Sequence, residues 1–238
     1  MVEWHPEKAA VIVCDMWDAH HCISAAKRVV EMAPHMNEVI CGIRGMGALI
    51  IHAPSGCMAF YAKTPQRKRA QEAPHADATV EFKWNGLDAS RESPLPSAIA
   101  DPGPCSCDSP EPCCRRPPPY PWTRQIETIG IAEEDAISDD GQEVYNLLQQ
   151  SGTEAIIIMG VHTNICVLSR PFGIRQLVYV GKRPFLCSDV TDSFHQDHRG
   201  HFEGTDLIIE HIERHWCPTV TSDQIVGGEP FRFSDSRH

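Results

Sequence analysis

No stretch of about 18 consecutive apolar residues occurs in the chain, so nothing in it reads as a membrane span. The N-terminal residues Met1 to Pro6 are polar and acidic, and the short apolar stretch after them soon meets Asp15, so a secretory signal is not expected. Basic residues are scarce. The 21 Lys and Arg stand against 32 Asp and Glu, a formal charge of −11 that weighs against a nucleic-acid partner. Lysine is missing altogether between Lys83 and Lys182, and no internal repeat is present.

Cysteine, by contrast, is plentiful. The count of 11 is high and odd, and Cys14, Cys41, Cys166 and Cys187 lie inside apolar segments, where a buried thiol packs as a small hydrophobe. That usage implies a reducing, cytoplasmic compartment. With 42% hydrophobic and 22% charged residues, the 238-residue chain can bury a sizeable core, and disorder throughout is excluded.

The run Ala9 to Cys14 (AAVIVC) is continuously apolar, rich in β-branched residues and stops at Asp15, the pattern of a buried parallel strand running into a loop. From Ala25 to Met46, Val29, Met32, Met36, Val39, Ile40 and Ile43 recur at helical spacing, and Pro34 is expected to divide this helix in two. Ala48 to His52 reads as the second strand, entering a turn at Pro54-Ser55-Gly56. Between Thr64 and Trp122 the pattern dissolves into Pro, Ser, Asp and clustered Cys, which marks an insertion, with one short strand expected at Thr79 to Lys83. Order resumes at Ile126 to Ile131. A helix over Gly141 to Gln150, a buried strand over Ala155 to Met159, a helix from Thr163 and a strand at Pro184 to Cys187 follow. A helix from His201 to His215, whose stretch Thr205 to Ile212 is amphipathic, and a last strand near Thr219 complete the order. Strands alternating with helices predict an α/β fold: a three-layer sandwich with a central, mostly parallel sheet flanked by helices, in a single domain over residues 1–238. In such sheets ligands gather beyond the carboxyl ends of the strands, where Asp15 and the residues after Met159 both fall.

The most informative segment is Gly160-Val-His-Thr-Asn-Ile-Cys166-Val, which follows a buried strand and opens a helix. A cysteine in a first helical turn has its thiolate favoured by the helix dipole and by free backbone N–H groups, and those N–H groups can also hold an oxyanion. Together with VIVCDMWD (Val11 to Asp18) and LCSDVTDSF (Leu186 to Phe194), the segment IIIMGVHTNICV (Ile156 to Val167) resembles the isochorismatase-like, nicotinamidase-related cysteine hydrolases. The resemblance runs from Ala9 to Thr221 outside the insertion.

The resemblance implies a central parallel sheet with flanking helices, a nucleophilic Cys166 that attacks an amide carbonyl, and Asp15 as proton acceptor and donor. It further implies a cis peptide at Val161-His162, oxyanion donors at the N–H groups of His162 and Cys166, a small-molecule substrate and a homo-oligomer. The family lysine has no counterpart in the lysine-free stretch. Arg124, 42 residues before Cys166, is the candidate replacement cation, and Lys83 is the alternative should the insertion fold back. Trp17 and His20 stand where relatives carry other pocket residues, and Trp17, His20, His52 and Asn164 are the expected pocket lining.

Metal binding is a separate question. His52 lacks the paired aspartate of the nicotinamidase pattern, so neither that metal nor nicotinamide is carried over. Asp18, His20 and His21 form either a polar pocket or a ligand set, and His195, His198 and His201 recur at ligand-like spacing of three that is equally ordinary for a loop entering a helix. Cys105, Cys107, Cys113 and Cys114 place four thiols in ten residues; this is a candidate zinc site, a disulfide pair or a set of free thiols, without the usual two-residue chelate spacing. The expected function is hydrolysis of a C–N bond in a small amide. The alternatives are a catalytically silent binding or scaffold protein, and an enol-ether hydrolase, for which the cysteine would have no use.

Overall fold

The computed structural model describes residues 5–96, 120–195 and 200–234. Six parallel strands form one sheet in the order β3-β2-β1-β4-β5-β6, with β1 Ala9–Cys14, β2 Leu49–Ala53, β3 Ala136–Ile137, β4 Ala155–Val161, β5 Arg183–Asp192 and β6 Thr219–Val220. The central pairing sets Val11 against Ile50 on one side and Ile157 on the other. All six residues of β1 are buried, because a parallel strand flanked by strands on both edges is covered on both faces.

Side-chain alternation sorts the core into two layers. Ala10, Ile12, Cys14, Ile51, Ile156 and Ile158 point to one face. That face is covered by α3 Pro65–Glu72, α4 Gly141–Gln150, α5 Ile174–Tyr179 and α6 His201–His215, through Ala70, Leu148, Ile174 and Ile208 among others. Val11, Val13, Ile50, Ile157 and Met159 point to the other face, beneath α1 Ile23–Gly45 and the short α7 Ser222–Val226. A short α2 spans Met58–Tyr61. The three layers follow from the period of two along each strand.

Several local expectations are corrected. Helix α1 continues through Pro34 as one 23-residue element. Val30 and Pro34 both lie on its solvent face, so the carbonyl that proline leaves unbonded is open to water, while Met32, Ala33 and Met36 keep the buried stripe intact. The expected strand at Thr79 to Lys83 is irregular, and Ile126 to Ile131, where regular order was expected to resume, forms turns. The start of the proposed insertion is instead helix α3, whose first turn is capped by Thr64 Oγ1 accepting from the Arg67 N–H at 3.2 Å, with Pro65 at its first position. Its composition, PQRKRAQE, hid it, since only Arg67 and Ala70 are buried. The segment after Met159 begins with a wide π-type turn, Thr163–Val167, before helical geometry continues. Strand β5 runs on to Asp192, past the expected end at Cys187.

The irregular segment 77–95 is pinned to α5 and α6 by buried polar bonds. Glu92 accepts from Arg175 Nη2 at 2.6 Å, from His211 Nε2 at 2.7 Å and from Trp216 Nε1 at 2.8 Å. Asn85 donates to Gln176 Oε1 at 2.7 Å, and its backbone N–H reaches the Ser169 carbonyl at 2.8 Å. Among the described residues, no helix is long and apolar enough to cross a membrane.

Candidate functional site

The strand order creates the site. The chain leaves β1 toward β2 on one side, and β4 lies on the other, so the crossovers diverge above the carboxyl ends of β1 and β4 and leave a crevice between them. Asp15 follows the last residue of β1, and the π-type turn carrying Cys166 follows β4.

The two ends approach closely because Gly160 has no side chain. A Cβ there would stand 2.1 Å from the Cys14 carbonyl oxygen, and the residue has φ +109°. Asp15 itself has φ +50°, a left-handed conformation that Asp tolerates better than most residues. That bend turns its carboxylate inward, where it is fully buried. The peptide Val161-His162 is cis.

Each oxygen of Asp15 has a defined partner. Oδ1 accepts from the Ser55 N–H at 2.7 Å, in the turn after β2. Oδ2 accepts from Arg170, with Nε at 3.3 Å and Nη2 at 3.2 Å. The Cys166 thiol lies within electrostatic reach of both groups, the Asp15 charge raising its pKa and Arg170 lowering it. Thus Cys166, Asp15 and Arg170 form one cluster. Arg170 lies four residues after Cys166, one helical turn on, and its side chain is 28% exposed beneath the ring of Trp84, 5.4 Å away.

The electrostatics follow from burial and the single cation. Burial raises the Asp15 pKa above the ordinary carboxylate range, and Arg170 pulls it back. Burial, with the Asp15 charge beside it, drives the Cys166 thiol well up, while Arg170 and a backbone hydrogen bond from His162 oppose this. Cys166 therefore rests as a neutral thiol beside the Asp15 carboxylate. Burial would lower the Arg170 pKa, but Asp15, Cys166 and Cys14 outweigh it and raise the value, so its guanidinium stays charged.

Arg124 is not the cation beside Asp15. Its guanidinium lies 2.7 Å from Glu127 and 3.9 Å from Asp18, near the Phe60 ring, because Asp18 draws the 123–124 backbone to itself through Thr123. Lys83 faces Glu81 at 3.7 Å. Arg170 was the residue that sequence reasoning missed, and its signal was the four-residue spacing from the nucleophile candidate on a shared helical face.

His52 is sealed in the core, not in the pocket. Its Nε2 meets Asp135 Oδ2 at 3.1 Å and its Nδ1 meets Gln125 Oε1 at 3.0 Å, on the α1 side of the sheet. Asn164 clamps the Phe194 backbone, donating to its carbonyl at 2.8 Å and accepting its N–H at 2.9 Å. Trp17 donates to the Ser55 carbonyl at 3.0 Å and stacks on Trp122 at 4.3 Å, which itself stacks on Tyr120. His20 accepts the Cys22 N–H at Nδ1, which leaves its Nε2 to carry the proton and face His162 Nε2 at 3.4 Å. Burial lowers both imidazoles, His20 to about 2 and His162 to about 4, so both are neutral.

Among the described residues, no group of three or more His, Cys, Asp or Glu is arranged to hold a metal. Asp18 spends its carboxylate on Thr123 and Arg124, His195 meets the His201 carbonyl at 2.9 Å, and His201 meets Asp192 at 2.6 Å. The zinc candidates Cys105, Cys107, Cys113 and Cys114, and likewise His198, lie outside the described residues.

No family model matches the chain, and no curated protein sequence matches it. Solved structures do. A cysteine hydrolase from Pseudomonas syringae pv. phaseolicola aligns with TM-score 0.57 at 15% identity over 94% of each chain. An isochorismatase from Pseudomonas putida aligns with TM-score 0.56 at 12% identity, over 95% of this chain and 94% of that one. An isochorismatase-like hydrolase from Alkaliphilus metalliredigens aligns with TM-score 0.52 at 13% identity, over 91% and 95%. A sheet of this strand order, closed by helices on both faces and matched over nearly the whole length of such chains, is the isochorismatase-like hydrolase fold.

Proposed function

We propose that this protein is a cysteine hydrolase that cleaves the C–N bond of a small amide. The observation that carries the reading is the gathering of Cys166, Asp15 and Arg170 in one buried cluster at the crevice of the sheet. Asp15 takes the thiol proton as Cys166 Sγ forms a bond to the carbonyl carbon. The N–H groups of His162 and Cys166 receive the oxyanion. Collapse breaks the C–N bond, the amine leaves with the proton from Asp15, and a thioester remains. Water then gives its proton to Asp15 as its oxygen attacks, Cys166 leaves and is reprotonated, and the products are an acid and an amine.

In this reading Arg170 stands in for the family lysine but cannot exchange a proton at neutral pH, so all proton traffic falls to Asp15. Its charge stabilises the Asp15 carboxylate and the developing thiolate. Replacing Arg170 by Met should slow amide hydrolysis by about 10²- to 10³-fold, the usual cost of losing one preorganised charge-stabilising group, with R170K recovering part of it. Steady-state rates on a panel of primary amides check this, and equal rates for R170M and the parent would remove Arg170 from the mechanism.

The first experiment is peptide-resolved labelling of the whole chain by iodoacetamide near neutral pH. Cys166 should react far faster than buried Cys187, because Cys166 has both a carboxylate and a cation acting on it, whereas at Cys187 the Asp189 carboxylate, 3.5 Å away, is joined by no cation among the causes of its pKa shift. Equal, slow labelling of both would favour a silent binding protein. The acid limb of the labelling profile should lie above the ordinary carboxylate range, since reaction needs ionised Asp15 and burial raises its pKa.

A further inference from the structure

Asp15 is surrounded by donors. The Ser55 N–H is on Oδ1 at 2.7 Å, and Arg170 Nε and Nη2 are on Oδ2 at 3.3 and 3.2 Å. Donors suit a carboxylate. They do not suit a carboxylic acid, whose O–H needs a lone pair to point at. Yet in the cycle above Asp15 becomes a carboxylic acid twice, once with the proton of Cys166 and once with that of water. Neither Arg170 nor a backbone N–H can accept that proton's hydrogen bond.

One nearby group can. Ser55 Oγ lies three bonds from the N–H already on Asp15, is buried, and has no hydrogen-bond partner among the described residues. The residue cannot swing away, because its N–H is committed to Asp15 and its carbonyl accepts the Trp17 indole N–H at 3.0 Å. Only the hydroxyl is free to turn. A buried, unsatisfied hydroxyl is unusual in a folded protein, and one beside a candidate proton carrier has a use that a structural hydroxyl lacks.

We propose that Ser55 is a positioning residue for the Asp15 proton: its hydroxyl, unpartnered in the resting state, accepts the O–H of the protonated acid after a small turn about its side-chain bond. The proposal rests on the cysteine-hydrolase reading. Each proton move is balanced, with the thiol proton passing from Sγ to an Asp15 oxygen and Ser55 keeping its own proton throughout. The acid is thereby held with its proton in place until the departing amine takes it.

The test uses the full chain and iodoacetamide as probe, with Cys166 alkylation followed by peptide mass spectrometry between about pH 5 and 9. S55A should slow Cys166 alkylation about tenfold at neutral pH and move the acid limb of the rate profile to lower pH, because the protonated Asp15 loses the acceptor of its O–H and becomes a weaker base. S55T, which keeps the hydroxyl, should return to within about threefold of the parent. The melting temperature of S55A should not fall, since no satisfied bond is lost. A reactive Cys166 with an unchanged rate and profile in S55A overturns the Ser55 assignment alone, as does a folded S55T that is as slow as S55A. A marked loss of folding in S55A would make the hydroxyl structural and overturn it too. A parent Cys166 no more reactive than Cys187 overturns the hydrolase reading, and the Ser55 assignment with it.

Discussion

Replacing Cys166 by Ala should lower amide hydrolysis by about 10⁴-fold or more, because a reaction deprived of its nucleophile keeps only the contribution of binding and oxyanion stabilisation. In barrier terms this is at least about 5 kcal/mol. The fold should be almost untouched. Cys166 is a small, neutral thiol in the core layer, and Ala leaves the Asp15–Arg170 pair and the Ser55 contact in place. C166S should be nearly as inactive, since a serine hydroxyl beside a carboxylate is far less acidic than a thiol. Single-turnover rates of C166A and C166S on an amide cleaved by the parent, with melting curves alongside, check both halves. Retained turnover in a folded C166A would place the chemistry elsewhere.

The second large effect is on stability. Glu92→Ala should destabilise the protein by about 3–5 kcal/mol, the usual result of removing one partner from a buried ion pair, and lower its melting temperature by about 10 °C. Glu92 is fully buried as a side chain and Arg175 nearly so, and without the carboxylate the guanidinium retains only the Asn85 carbonyl at 3.0 Å and Ser169 Oγ at 2.8 Å. Trp216 and His211 would also lose their acceptor. Burial alone would raise the Glu92 pKa, but hydrogen bonds from Arg175, the Asp88 backbone, His211 and Trp216 outweigh it and hold the carboxyl at about 2. The folded value lies below the unfolded one, so the stabilisation is fully present above the ordinary glutamate range and is lost as pH falls through about 2. Acid titration of the melting temperature should therefore be shallower in E92A than in the parent; parallel titrations would show that Glu92 carries no such linkage.

Much of this molecule was legible in its residues. AAVIVC and AIIIM could only be buried parallel strands, because continuous β-branched runs between helical segments have no solvent face to offer. Their ends carry Asp15 and Cys166, and strand-end position alone brings those two residues to the same crevice. The boundaries that failed did so for identifiable reasons. Proline in α1 fell on the exposed face, where its missing bond costs least, and α3 presents so few apolar residues that its helical period cannot be seen.

The partner of Asp15 was a different kind of question. Arg170 and Arg124 are chemically identical; the four-residue spacing marks Arg170 as a neighbour of Cys166, but no local pattern places either arginine beside a carboxylate 155 or 109 residues earlier in the chain. Packing settled it: the wide turn after β4 aims Arg170 back over β1, while Asp18 and Glu127 hold Arg124 at the surface. His52 misled for the same reason, since a histidine at a strand end reads as a pocket residue until Asp135 and Gln125 are found beside it in the core. What the sequence by itself determined was the layered sheet and the two residues at its strand ends, because periodicity and strand termination are local properties of the chain. What only the tertiary structure decided was which cation faces them and which partners gather on Glu92, because those contacts join segments far apart in sequence and depend on side-chain directions that no local pattern encodes.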